Sequence, residues 1–127
     1  MSGIYKEHIL DHYANPRNLG TLEEPNIVAD ADDPSCGDQI HIELSLDDEG
    51  RVERVAFQGQ GCIVSMAAAS IFTEQVQGKT LEQLEQMTEE EALETLDAPV
   101  GPRRRCALLP LQTLRAGVRA YRKAREV

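Results

Sequence analysis

Tryptophan is absent from the 127 residues, and only five aromatics occur: Tyr5, Tyr13, Phe57, Phe72 and Tyr121. So few rings cannot form a base-stacking platform for single-stranded nucleic acid, and the core is expected to be aliphatic. No apolar run approaches the roughly 20 residues of a membrane span, and Met1 to Asn15 lacks a basic region followed by an apolar stretch. The expectation is a cytoplasmic protein with no membrane partner. GxGxxG, phosphate-loop, HExxH and GxSxG patterns are also missing, which removes the commonest dinucleotide, nucleotide, metalloprotease and hydrolase readings. There is no CxxC, no repeat and no coiled-coil heptad. The length sets an expectation of one domain over residues 1–127.

What is present is strongly polarised. The net charge of −9 hides a division: residues 1–102 carry 5 basic and 21 acidic side chains, while residues 103–127 carry 8 basic and 1 acidic. A basic segment on an acidic body can steer an acidic partner, or it can be a helix with a solvated basic face. Nucleic acid is disfavoured as a partner, because the acidic body repels phosphates.

The patterning predicts an α+β fold, a small antiparallel sheet of about three strands packed against helices. Ile4, His8, Ile9 and Tyr13 share one face of a helix over 4–14, capped by Ser2 and stopped by Asn15-Pro16. A short strand is expected at 26–29. Ile40, Ile42, Leu44 and Leu46 alternate with polar residues, Asp47 to Gly50 supply a turn, and Val52, Val55 and Phe57 return, so a hairpin is predicted. The Gly59-Gln60-Gly61-Cys62 run ends that strand, and a helix is expected from Ser65 to about Gln77. Two short acidic helices open at Thr80 and Thr88, the latter with a capping-box pattern to Glu91. A rigid connector spans 97–102, and a last helix runs from near Cys106 to Lys123, with Pro110 tolerable only near its start. Ile40, Ile42, Leu44, Val55 and Phe57 are expected to be buried with Ile71, Phe72, Leu111 and Leu114.

Three cysteines, Cys36, Cys62 and Cys106, are separated by 26 and 44 residues. An odd number without secretory features argues against a disulfide framework, leaving buried small hydrophobes or reactive and metal-binding thiols. Each lies at the edge of an element, where sulfur atoms from distant segments can converge. Gly37, Gly59 and Gly61 allow close backbone approach, and helix starts and the Arg103-Arg104-Arg105 run favour thiolate at Cys62 and Cys106. With Asp38, the cysteines make four ligands, the number of a closed tetrahedral zinc site or of an iron site with one hard oxygen ligand. Three unrelated cysteines and an Asp38 that caps a turn are the alternative. His41 is expected to face solvent, and His8 and His12, one turn apart, either bind metal or pack.

Asp11-His12-Tyr13, Asn15-Pro16-Arg17-Asn18, Cys36-Gly37-Asp38, and Gly59-Gln60-Gly61-Cys62 followed by Ser65-Met66-Ala67-Ala68-Ala69-Ser70 together resemble the U-type iron-sulfur scaffold family. The resemblance runs from Tyr5 to about Tyr121. It implies a SufE/NifU-like α+β fold with the cysteines and aspartate at one exposed end. It further implies a scaffold that accepts persulfide sulfur from a cysteine desulfurase and passes clusters to apo iron-sulfur acceptor proteins. By motif, Cys36, Asp38, Cys62 and Cys106 match the ligands of Zn²⁺, iron or a [2Fe–2S] cluster, and Cys36 and Cys106 are the candidate persulfide acceptors. The IscU branch carries His before its third cysteine, where this chain has Arg105, and a Leu-Pro-Pro-Val-Lys run, where it has Asp97-Ala98-Pro99-Val100-Gly101. Chaperone docking is accordingly not implied. The third-cysteine motif is similar to that of the zinc-containing SufU branch, but the usual insertion between the second and third cysteines is missing. Scaffold, zinc-dependent sulfur relay and zinc-stabilised interaction module therefore stay open as readings.

Overall fold

A computed structural model describes residues 7–34, 37–96 and 101–125. The expected Ser2 cap, Ile4, Cys36 and most of the 97–102 connector lie outside the described residues. The element order is α1 (Glu7–Ala14), β1 (Ile27–Asp33), β2 (Asp38–Leu46), β3 (Val52–Gln60), α2 (Ile63–Val76), α3 (Leu81–Gln86), α4 (Glu89–Leu96), a 3-10 turn (Gly101–Arg103) and α5 (Arg104–Ala124). The three strands form one antiparallel sheet in the order β1-β2-β3. The α+β expectation holds.

The apolar alternation of β2 decides the layering. Ile40, Ile42 and Leu44 point to one face, where they meet Val55 and Phe57 of β3 and Ile27 of β1, and α2 and α5 cover that face. β1 is longer than the predicted 26–29. Asp30, Asp32 and Asp33 have poor strand propensity, but β2 offers a ladder along its whole length, from Ile27↔Leu44 to Asp33↔Asp38. β3 likewise continues past Phe57, since Gly59 pairs with Ile40 at a spacing that only glycine permits: a Cβ there would stand 2.3 Å from the Gln39 carbonyl oxygen.

A second apolar cluster lies between helices. Ile71, Phe72 and Leu111 are buried, but in this layer with Ile9, Ala67, Ala68, Leu96 and Leu108, whereas Leu114 packs against the sheet as expected. The helix α2 is apolar all round, with small residues at 67–69, so it serves both layers at once. Pro110 is not in the first turn of α5. It is the seventh residue of a helix that starts at Arg104, led in by the 3-10 turn, and its ring is buried in the core. Among the described residues, no helix is long and apolar enough to cross a membrane.

Candidate metal centre

The chain brings Asp38, Cys62 and Cys106 together from three separate elements. Asp38 opens β2, Cys62 caps α2, and Cys106 lies in the first turn of α5. One ligand atom from each lies within 4.8 Å of the other two. Asp38 is fully buried, Cys62 half-buried and Cys106 buried. The fourth predicted ligand, Cys36, lies two residues before Asp38 in sequence and outside the described residues.

Local chemistry explains each placement. Cys62 ends the extended run at φ −74°, ψ 167°, and its sulfur accepts the Ser65 N–H at 3.5 Å, so α2 starts two residues earlier than predicted with a thiol as its cap. The Ser65 hydroxyl donates to the Cys62 carbonyl at 3.2 Å. Asp38 divides its two oxygens: Oδ1 accepts the Cys62 N–H at 2.9 Å, while Oδ2 stands 3.8 Å from Cys62 Sγ. The anticipated close approach at Gly61 is present, because a Cβ at that position would lie 2.2 Å from Asp38 Oδ1 and 2.7 Å from Ser65 Oγ.

These donors fit a metal. A Zn²⁺ ion with bonds of about 2.3 Å to sulfur and about 2.1 Å to oxygen at tetrahedral angles places the two donors roughly 3.6 Å apart, close to the Asp38–Cys62 spacing. Burial pushes the Cys62 thiol up, but its hydrogen bonds with the Ser65 backbone and side chain, with Cys106 and with Arg103 outweigh it and leave the thiol below its ordinary range. These contacts shift the balance toward the thiolate, the form that binds metal.

The three arginines do not act as a block. Arg103 faces Cys62, Arg104 pairs with Glu89 at 3.3 Å and Glu90 at 3.6 Å, and Arg105 pairs with Asp33 at 3.0 Å. Cys106 lies at the start of its helix as predicted, yet it also belongs to the apolar cluster with Ala107 and Leu108, so edge position and core position coincide there. The remaining histidines are committed elsewhere. His8 Nε2 meets the Leu96 carbonyl at the end of α4, and His12 Nδ1 lies 2.7 Å from Ser70 Oγ, so the pair packs α1 onto its neighbours. His41 stays off the core face, but it is bracketed by Asp30 at 2.6 Å and Glu43 at 2.8 Å rather than freely solvated. Sequence alone marks Ser65 only as a helix start and motif residue, not as a partner of Cys62, and does not mark Asp33. Ser65 carried a signal in its three-residue spacing from Cys62, the spacing of a cap, whereas Asp33 is one of three aspartates in its strand and carried none.

The family model for the NifU-like N terminal domain matches residues 4–127. The zinc-dependent sulfurtransferase SufU of Bacillus subtilis (strain 168) is 46% identical over 79 residues, 62% of this chain and 52% of that protein, so the match spans about half the relative's length. The iron-sulfur cluster assembly scaffold protein IscU of Aquifex aeolicus (strain VF5) is 35% identical over 122 residues, 95% of this chain and 78% of its own. A solved SufU structure, described as a candidate iron-sulfur cluster assembly scaffold for the SUF system of Fervidobacterium islandicum AW-1, superimposes with a TM-score of 0.73. Its identity is 27%, covering 91% of this chain and 96% of that one. By a match that spans nearly all of its length, the chain belongs to the NifU-like N-terminal domain family.

Proposed function

We propose that this protein is an iron-sulfur cluster assembly scaffold that accepts persulfide sulfur from a cysteine desulfurase and holds iron, a [2Fe–2S] cluster or Zn²⁺ through Cys36, Asp38, Cys62 and Cys106. The observation that carries this is the convergence of Asp38, Cys62 and Cys106 from three elements, with ligand atoms within 4.8 Å. Zn²⁺ bound there holds the sulfurs as thiolates and releases their protons on binding.

Sulfur enters when an acceptor thiolate attacks the outer sulfur of the donor persulfide; the donor S–S bond breaks, the donor leaves as thiolate, and the acceptor becomes the persulfide. Cys106 is 5% exposed, which hinders approach of a donor and favours Cys36 as first acceptor, with Cys106 second. Apo iron-sulfur proteins are the proposed recipients, and the cytoplasm the proposed compartment. The similarity to the Bacillus SufU supports a second reading, a zinc-dependent sulfur relay that activates the desulfurase without building a cluster.

Anaerobic incubation with iron, cysteine and a desulfurase, followed by an apo-ferredoxin, separates the readings. A visible cluster that moves to the ferredoxin is expected. Desulfurase stimulation with zinc retained and no cluster selects the relay, while a protein that neither gains sulfur by mass nor stimulates the desulfurase is an interaction module. Stoichiometric metal that survives Cys36→Ala, Cys62→Ala and Cys106→Ala alike rules out the site.

A further inference from the structure

We propose that the Arg105–Asp33 ion pair is a positioning clamp for the metal-ligand cluster, a deeper statement of the site that rests on the metal-binding reading above. Arg105 Nη2 reaches both oxygens of one carboxylate, Asp33 Oδ1 at 3.1 Å and Oδ2 at 3.0 Å. The two partners are unequal: the Asp33 side chain is 9% exposed and the Arg105 side chain 72%. The carboxylate belongs to the packed structure, and the guanidinium reaches in from the surface to meet it.

What the pair joins gives it meaning. Asp33 is the register partner of Asp38, and its carbonyl accepts the Gly37 N–H at 2.8 Å, closing the end of the β1–β2 hairpin. Arg105 immediately precedes Cys106. The pair therefore spans the sheet element that supplies one ligand and the helix that supplies another, one strand pairing from the first and one residue from the second. The same helix is seated on the same strand at a second point, where Gly117 admits Ala29 and Ile27. From residue 105 to 117 the helix advances about 18 Å, and from Asp33 back to Ala29 and Ile27 the strand spans about 13 to 20 Å. The two elements therefore run alongside each other between two contact points, and the one at the ligand end is the ion pair. Burial of Cys106, Ala107 and Leu108 holds the first turn of α5 against its helical neighbours, and the charge-assisted contact from Arg105 Nη2 to the buried Asp33 carboxylate ties that turn to β1 as well. Arg105 thus acts through Cys106 and Asp38 and binds neither metal nor sulfur.

The test is Zn²⁺ affinity, measured on the full chain by competition with a chromophoric chelator. Wild type is compared with Arg105→Gln, Asp33→Asn, the double variant, Arg105→Lys and a Cys106→Ser control, with circular dichroism of each apo protein. Each single neutralising variant is expected to lose about 10-fold in affinity with an unchanged apo spectrum, as supporting contacts around ligands do. The double variant should lose no more than either single one, and Arg105→Lys should recover part of the loss. Single variants that keep wild-type affinity, or losses that multiply in the double variant, overturn the clamp while leaving the metal site intact. Wild type that binds no Zn²⁺, or Cys106→Ser that binds like wild type, overturns the metal reading and the clamp with it.

Discussion

Gly61 is where one missing atom organises the site. Its position is walled by Asp38 Oδ1, Asp38 Cγ and Ser65 Oγ at 2.2, 2.8 and 2.7 Å from any added Cβ, and Asp38 is fully buried, so the carboxylate has nowhere to retreat. Gly61→Ala must therefore push Asp38 off the Cys62 N–H. Leaving that buried acceptor and donor poorly paired costs about 1–3 kcal/mol of stability. Because the same shift moves Oδ2 relative to Cys62 Sγ, Zn²⁺ affinity should fall about 10-fold or more, read by the same chelator competition. A Gly61→Ala protein with wild-type stability and wild-type affinity would mean that Asp38 is not held where it stands.

At the scale of elements, α5 does the most: it supplies Cys106, buries Leu108, Leu111, Leu114 and Val118, and lies along β1. Its approach depends on Gly117, where a Cβ would meet Ala29 Cβ at 2.7 Å and Ile27 Cγ2 at 3.2 Å. Two effects oppose each other in Gly117→Ala. Helix propensity favours alanine by about 1 kcal/mol, while overpacking of a tight interface costs about 1–3 kcal/mol. Here the blocking atom is a Cβ fixed to strand backbone, which cannot rotate away, so the steric side wins. A net loss of up to about 2 kcal/mol is expected from urea midpoints, and a stabilised variant would refute the close seating of α5 on β1. The acidic helices α3 and α4 start as their threonines dictate, with Thr80 and Thr88 each accepting from the third residue on, at 3.1 Å.

For the whole molecule, the charge division is partly resolved within the fold: Arg104, Arg105 and Arg122 of α5 pair with Glu89, Asp33 and Glu85 of the acidic body. The outer face of the sheet adds a proton-linked contact. Hydrogen bonds to Glu43 and then Asp30 raise the pKa of His41, and the hydrogen bonds from His41 and from the Leu22 N–H hold Glu43 below the usual carboxylate range. A histidine whose folded pKa is raised stabilises the fold fully below its unfolded value of about 6.5 and loses that contribution as pH rises through the folded value. Glu43 works in the opposite sense: its contribution is present above about 4.3 and lost as pH falls through the depressed folded value. Wild-type stability should thus decline as pH rises above about 6.5, by about 1 kcal/mol at most, given partial solvent exposure. His41→Gln should flatten that slope in urea titrations, and an unchanged slope would place the titrating group elsewhere.

Much of this was legible along the chain. Period-two alternation at 40–46 specifies a strand with one buried face, the threonine caps specify two helix starts, and glycines beside loop cysteines specify close approach, because all of these are local effects of a few neighbouring residues. The full length of β1 was not legible, since Asp30, Asp32 and Asp33 form a strand only because β2 lies alongside. Nor was the division of the core, because the apolar residues of α2 and α5 face two layers and periodicity alone does not say which. The site shows the same boundary. Residue type and position in the chain nominate Asp38, Cys62 and Cys106 as ligands and exclude Arg105 as one. Their meeting within 4.8 Å, and the choice of Asp33 as the partner of Arg105, depend on contacts 24 to 72 residues apart in sequence. Only packing of α2 and α5 on the sheet brings such groups together, so chemistry is written in the residues and proximity in the fold.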